Sequence, residues 1–197
     1  MAIQNYCGVP NFGKIKTLVI HPKDETTDFL SLIYSGRDWT VINDPLISDS
    51  ELINQLHTHD RIIMLGHGTM WGLLTSHISK NEVGYKYIIN SEHAHILRKK
   101  KCVFIWCNAD VFVNEYSLKG FYTGMIISED PEALIYGLDV SLKDIEQSNL
   151  EFAIAIKQSI DCTDILGETK ALYKSRKNKV VLFNMDNLFQ NDGYLTV

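Results

Sequence analysis

Apolar and polar positions fall into short blocks along the chain, and the blocks read as alternating strands and helices. The run "IKTLVIHP" (15–22) is apolar, closes on a proline and predicts a first strand. "DETTDFLSLIYSG" (24–36) carries Phe29, Leu32 and Ile33 at helical spacing and ends on a glycine, the favoured C-cap residue, so it predicts a helix. "DWTVIND" (38–44) predicts a second strand. "SDSELINQLHTH" (48–59) opens on a Ser/Asp cap signal and places Leu52, Ile53 and Leu56 on one face, predicting a second helix. "RIIMLGHG" (61–68) and "CVFIWC" (102–107) predict the third and fourth strands, with a short helix "SEHAHILRK" (91–99) before the latter.

The segment 71–90 breaks the alternation. Its flanks "WGLLTS" and "YKYIIN" enclose a polar stretch with Asn81 and Gly84, which predicts a hairpin outside the main sheet. Beyond the fourth strand, "NEYSLKG" reads as a helix end and "YTGMIIS" (122–128) as a fifth strand. "DPEALIYGL" (130–138) carries Pro131 in a first helical turn, and 141–160 form a long amphipathic helix. "KVVLFNMDNL" (179–188) predicts a sixth strand.

Strands three and four are apolar almost throughout, which is expected when both sheet faces are covered by helices. The pattern therefore predicts one α/β domain over 1–197, with a core of about 15–190. Its architecture is a three-layer sandwich around a six-stranded, mostly parallel sheet. In such sheets, ligands gather at the carboxyl ends of the strands.

Composition narrows the function classes. Of 197 residues, 45% are hydrophobic and 22% charged, the balance of a globular domain, and the net charge of −5 argues against nucleic acid or an anionic membrane as partner. The basic cluster Arg98 to Lys101 reads as a helix C-terminus facing solvent. No apolar run approaches the roughly 20 residues that span a bilayer. The stretch "MAIQNYCGVPNFGK" has neither a basic n-region nor an apolar h-region, so no signal peptide is expected. Cys7, Cys102, Cys107 and Cys162 are scattered without a CxxC, which predicts reduced thiols and a cytoplasmic location.

The candidate chemistry sits at two strand ends. The third strand stops on Gly66-His67-Gly68 and the fourth on Cys107-Asn108. If these strands are neighbours, their ends lie about 5 Å apart. A histidine there can take the proton of a cysteine, activate it as a nucleophile and later protonate a leaving amine. The backbone N–H groups of Gly68 and Cys107 are candidate donors to a developing oxyanion. Cys102, at the start of the same apolar run, reads as core packing.

An apolar strand ending in His-Gly, followed forty positions later by an apolar strand ending in Cys, resembles the caspase-like cysteine peptidases: caspases, metacaspases, gingipains, clostripain, legumain and separase. The element order is similar too, with two β–α units, the histidine strand, a helix, the cysteine strand and two further strands. "FYTGMIISEDPEALIYGL" and "NKVVLFNMDNLF" occupy the positions of the family's fifth and sixth strands. The resemblance implies a caspase-like fold and a peptide or protein substrate. It also implies His67 as general acid/base, Cys107 as nucleophile and Gly68 as oxyanion donor, with no metal or organic cofactor. The chain departs from the family at bulky Trp106 before the cysteine and at Asn108-Ala109 after it. A catalytically silent caspase-like binding or regulatory module is the alternative. A flavodoxin-like ligand-binding domain is a third reading, opposed by the lack of a phosphate-cradling glycine loop after strand one.

Other motifs carry blander readings. "HTHD" (57–60) lacks the further ligands of a zinc site and reads as a solvated helix end, while His93 and His95 in "EHAH" read as surface residues. Trp71, Tyr85 and Tyr87 pack a hairpin or wall a substrate groove. Glu129 and Asp110 are candidate acidic pocket residues that would favour a basic substrate side chain, whereas Asp130 reads as a first-turn acid before Pro131.

Overall fold

The computed structural model describes residues 15–75, 86–175 and 177–191. Strand β1 (Thr17–Ile20) leads through a 3-10 helix (Asp28–Ile33) to β2 (Thr40–Ile42). Helix α1 (Asp49–Thr58) starts where the Ser48 side chain accepts from Glu51 N–H, and β3 (Arg61–Leu65) follows it. The excursion forms three short strands, β4 (Gly68–Thr69), β5 (Gly72–Leu74) and β6 (Tyr87–Ile89), in a separate antiparallel sheet. Its expected turn residues Asn81 and Gly84, with Tyr85, lie outside the described residues. A 3-10 turn (Ser91–His93) and α2 (Ala94–Leu97) lead to β7 (Lys101–Ile105), α3 (Ala109–Glu115) and β8 (Gly120–Thr123). The chain then runs through α4 (Asp130–Ile135), α5 (Leu142–Ser159), α6 (Ile165–Leu172) and α7 (Lys179–Asp186) to β9 (Leu188–Gln190).

The main sheet has the order β2-β1-β3-β7-β8-β9, parallel except for the β8–β9 pair. The side chains of β3 and β7 alternate between two cores. One joins Ile62, Met64, Phe104 and Trp106 to Leu52, Leu56, Ala94, Leu97 and Phe112 from α1 to α3. The other joins Ile63, Leu65, Val103 and Ile105 to Phe152, Ile156, Ile165 and Val181 from α5 to α7. Helices thus cover both faces, which explains the unbroken apolar runs. Helix α5 is held at its start by a capping box between Ser141 and Asp144.

Three expectations are corrected. Residues 179–188 form a helix rather than a sixth strand: Asn178 accepts from Val180 and Val181 N–H, and the strand is the three-residue β9 beyond it. A short apolar run has no periodicity that separates buried helix from buried strand. The fifth strand occupies 120–123 rather than 122–128. The first helix shrinks to a 3-10 segment packed by Leu30 and Ile33. Helix α6 carried no sequence signal that we singled out.

His59 and His93 are not solvated as expected. The ring of His59 bridges Gln55 O (2.8 Å) and Thr40 Oγ1 (2.9 Å), while His93 Nδ1 accepts from Asn90 N–H at 3.2 Å; both rings are buried. Cys162 is disulfide-bonded, so the expectation of reduced thiols holds, among the described residues, for Cys102 and Cys107. Among the described residues no helix is long and apolar enough to cross a membrane, and no cluster of His, Cys, Asp and Glu is arranged to hold a metal ion.

Candidate functional site

Strands β3 and β7 are parallel neighbours in register, Arg61 opposite Lys101 and Leu65 opposite Ile105. His67 lies two residues beyond Leu65 and Cys107 two beyond Ile105, so both leave the sheet at the same height. A further bond, Gly66 N–H to Ile105 O at 3.1 Å, carries the pairing past the strand ends. Both residues line one cavity of about 440 Å³ at the carboxyl rim.

The glycines flanking His67 do different jobs. Gly66 has φ +137°, a region that L-residues rarely adopt, and lets the chain turn off β3. Gly68 makes room for a tryptophan: a Cβ there would stand 2.1 Å from Trp106 Cδ1 and 2.7 Å from Gly72 O. Trp106 is therefore no intruder in the cavity. It is 2% exposed, points to the core face opposite Cys107, stacks edge-on against Phe104 and Phe112, and donates from Nε1 to Thr69 O at 3.1 Å. The residue after the cysteine also has a backbone reason. Asn108 adopts φ 64°, which asparagine tolerates better than most residues, and this sharp turn converts β7 into α3.

The Cys107 thiol donates to Ile126 O (3.5 Å) and faces Glu132 Oε1 (3.8 Å). Burial pushes the thiol up to about 12, and the charge of Glu132 adds to this. The start of α3 two residues later would by its dipole favour a thiolate, but burial and the carboxylate outweigh it. Among the described residues no hydrogen bond joins Cys107 to His67. Glu132 is itself fixed, its Oε2 accepting from Ser128 N–H (2.7 Å), Ser128 Oγ (3.1 Å) and Glu129 N–H (3.0 Å) as the N3 partner of a capping box.

The His67 ring is held from the other side. Its Nε2 lies 2.6 Å from Thr26 Oγ1 and 3.8 Å from Asp24 Oδ1, and Thr26 Oγ1 donates to Asp24 Oδ1 at 2.7 Å. Burial favours the protonated form of Asp24, but the Thr26 hydroxyl and N–H outweigh it and hold the carboxyl below its usual range.

Of the residues expected at the site, His67, Gly68, Cys107 and Glu129 line the cavity, together with Asp24, Thr26 and Glu132, which sequence reasoning missed. Trp71, exposed at the β4–β5 turn, and Asp110, in the first turn of α3, are not among the lining residues and drop out of the expected pocket. Tyr87 braces the hairpin through Thr69 Oγ1 at 2.8 Å. Glu132 had a readable signal, a glutamate three residues after a cap position. Asp24 and Thr26 had none beyond lying at a strand's carboxyl end. No protein-family model matches the chain, and no curated protein sequence matches it.

Proposed function

We propose that the chain is a caspase-like cysteine endopeptidase with Cys107 as nucleophile and His67 as general acid/base. The observation that carries this reading is the exit of the two residues, at equal height, from adjacent parallel strands into one cavity. The strand order, with the first five strands parallel, supports the resemblance noted in the sequence.

In the proposed reaction the thiol leaves Glu132 and gives its proton to His67 as sulfur bonds to the scissile carbonyl carbon. The carbonyl π electrons move to oxygen, which the N–H groups of Gly68 and Cys107 are proposed to receive. Collapse of this intermediate breaks the C–N bond, and the imidazolium protonates the departing amine, leaving a thioester. Water then attacks the thioester, His67 takes its proton, and the thiol is regenerated with release of the acid. These steps need no metal or organic cofactor. The carboxylates of Asp24, Glu129 and Glu132 around the cavity favour a basic residue at the cleavage point.

A peptide library with Arg, Lys, Asp or Asn at the cleavage point tests this. Cleavage after Arg or Lys, reduced to background in Cys107→Ala, is the expected result. Cleavage that survives Cys107→Ala removes the proposal. One observation favours a second reading, a catalytically silent binding module: the resting thiol faces a carboxylate rather than the histidine. Binding of a peptide at this rim without turnover selects that reading.

A further inference from the structure

Proton bookkeeping around Thr26 carries a step beyond the dyad. A threonine hydroxyl has one hydrogen to give and lone pairs to receive with. Thr26 Oγ1 has two close partners, Asp24 Oδ1 at 2.7 Å and His67 Nε2 at 2.6 Å. An ionised carboxylate only accepts, so the hydroxyl hydrogen must lie on the Asp24 side. The opposite arrangement, with the hydroxyl donating to His67, would set a threonine lone pair against a carboxylate lone pair at 2.7 Å. Thr26 Oγ1 is then left as an acceptor, and His67 Nε2 must carry the hydrogen it receives.

We infer that Thr26 and Asp24 are positioning residues that fix His67 as the Nε2–H tautomer, leaving Nδ1 as the atom that takes the Cys107 proton. This rests on the reading of His67 as the base. The proton passes from Sγ to Nδ1, the ring becomes a cation, and Asp24, 3.8 Å from Nε2, is the fixed counter-charge. The same proton later goes from Nδ1 to the leaving amine nitrogen. The relay is pre-set by its own loop, because Asp24 Oδ1 also accepts the Thr26 backbone N–H at 2.9 Å. The ring is therefore aimed before any substrate arrives. The other ionisable groups on the cavity are Cys107, Glu129 and Glu132, which lie on the strand-end and α4 side.

The test is the two-bond ¹H–¹⁵N imidazole spectrum of the free 197-residue chain at about pH 9, above the ordinary histidine range. The His67 signals are assigned by their loss in His67→Gln. The expected wild-type pattern is Nε2–H. Thr26→Ser retains it and Thr26→Val mixes the tautomers, a difference that a purely structural loop residue would not produce. Asp24→Asn keeps an oxygen acceptor and hence the tautomer, whereas Asp24→Leu removes the acceptor that fixes the hydroxyl hydrogen, lets Thr26 donate to Nε2 and mixes the tautomers. An Nδ1–H pattern in the wild type, or an unchanged pattern in Thr26→Val, overturns the role of Thr26; an unchanged Nε2–H pattern in Asp24→Leu overturns that of Asp24. The spectrum needs no turnover. A protein that shows the Nε2–H ring yet cleaves nothing therefore fails the peptidase proposal alone, and a cleaving protein with an Nδ1–H ring fails this inference alone.

Discussion

The Cys107 sulfur faces Glu132 Oε1 at 3.8 Å, so the carboxylate stands where it opposes the thiolate. Burial is the larger cause of the raised thiol and the Glu132 charge the next. Glu132→Gln removes the charge while its side-chain oxygen can still accept from the Ser128 and Glu129 amides. The expected outcome is a downward shift in the pH midpoint of Cys107 alkylation by iodoacetamide, with a several-fold faster rate near pH 8. The midpoint stays above that of a free thiol because the burial remains. An unchanged profile would show that Glu132 does not act on Cys107.

Cys102 supplies the internal control. It is fully buried, donates to Leu97 O at 3.6 Å, and burial raises its thiol further still. Cys107 is half-buried on an open cavity. In the folded protein at pH 9 to 10, mass mapping should find label on Cys107 and none on Cys102, which takes label only after denaturation. Equal labelling of the two would mean that the β7 end opens in solution. The sequence led us to expect activation of Cys107 by His67; in the structure the thiol faces Ile126 O and Glu132 instead, and the His67 ring faces Thr26 and Asp24.

The contact between Gly68 and Trp106 makes a stability prediction. Adding a methyl at Gly68 forces a shift of the indole, of Gly72 O or of both, since the nearest atoms would stand 2.1 and 2.7 Å away. Overpacking of this kind costs about 1–3 kcal/mol. Gly68→Ala should unfold at correspondingly lower denaturant, and the added cost should shrink in a Trp106→Leu background, where the indole is gone. A double-mutant cycle with no coupling between the two positions would contradict the packing account.

Much of the sheet was legible because its two central strands are covered on both faces: Ile62 and Met64 point to one core, Ile63 and Leu65 to the other, and an unbroken apolar run results. From that run followed the adjacency of the His67 and Cys107 strands. The end of the chain was not legible. Val180, Val181 and Asn184 bury one face of a two-turn helix, too short for its period to stand out from a strand. At the site, the two residues on strand ends were visible because glycine and cysteine interrupt apolar runs. Thr26 and Asp24 belong to a polar loop after β1 and reach His67 only through the tertiary fold, 41 residues apart in sequence in the case of Thr26. Trp106 stood out in the sequence only as a bulky departure from the family pattern, and the alternation of β7 is what shows it packed in the core face away from Cys107.

Acid should weaken the protein through Asp161. This carboxylate accepts from buried Arg61 (Nη1 at 2.8 Å) and from Arg37, and both guanidinium groups lie over the Trp39 ring, at 4.8 and 4.9 Å. Burial on its own would raise the Asp161 carboxyl, but the two arginines outweigh it and hold it below the ordinary value of 3.8. The folded state therefore binds its proton later than the unfolded chain does. The stabilisation is fully present above about pH 5, is lost progressively as the pH falls through 3.8, and is gone once the pH passes the folded value. Because Asp161 is 42% exposed while Arg61 is 8% exposed, the pair lies between the surface and buried regimes, and Asp161→Asn should cost about 1–2 kcal/mol at pH 7. The variant should lose less stability than the wild type between pH 5 and pH 2.5, so that the two denaturation midpoints converge as acid is added. Parallel curves, with the gap at pH 7 preserved at pH 2.5, would show that the carboxylate charge contributes nothing and that the cost arises from packing around Arg61.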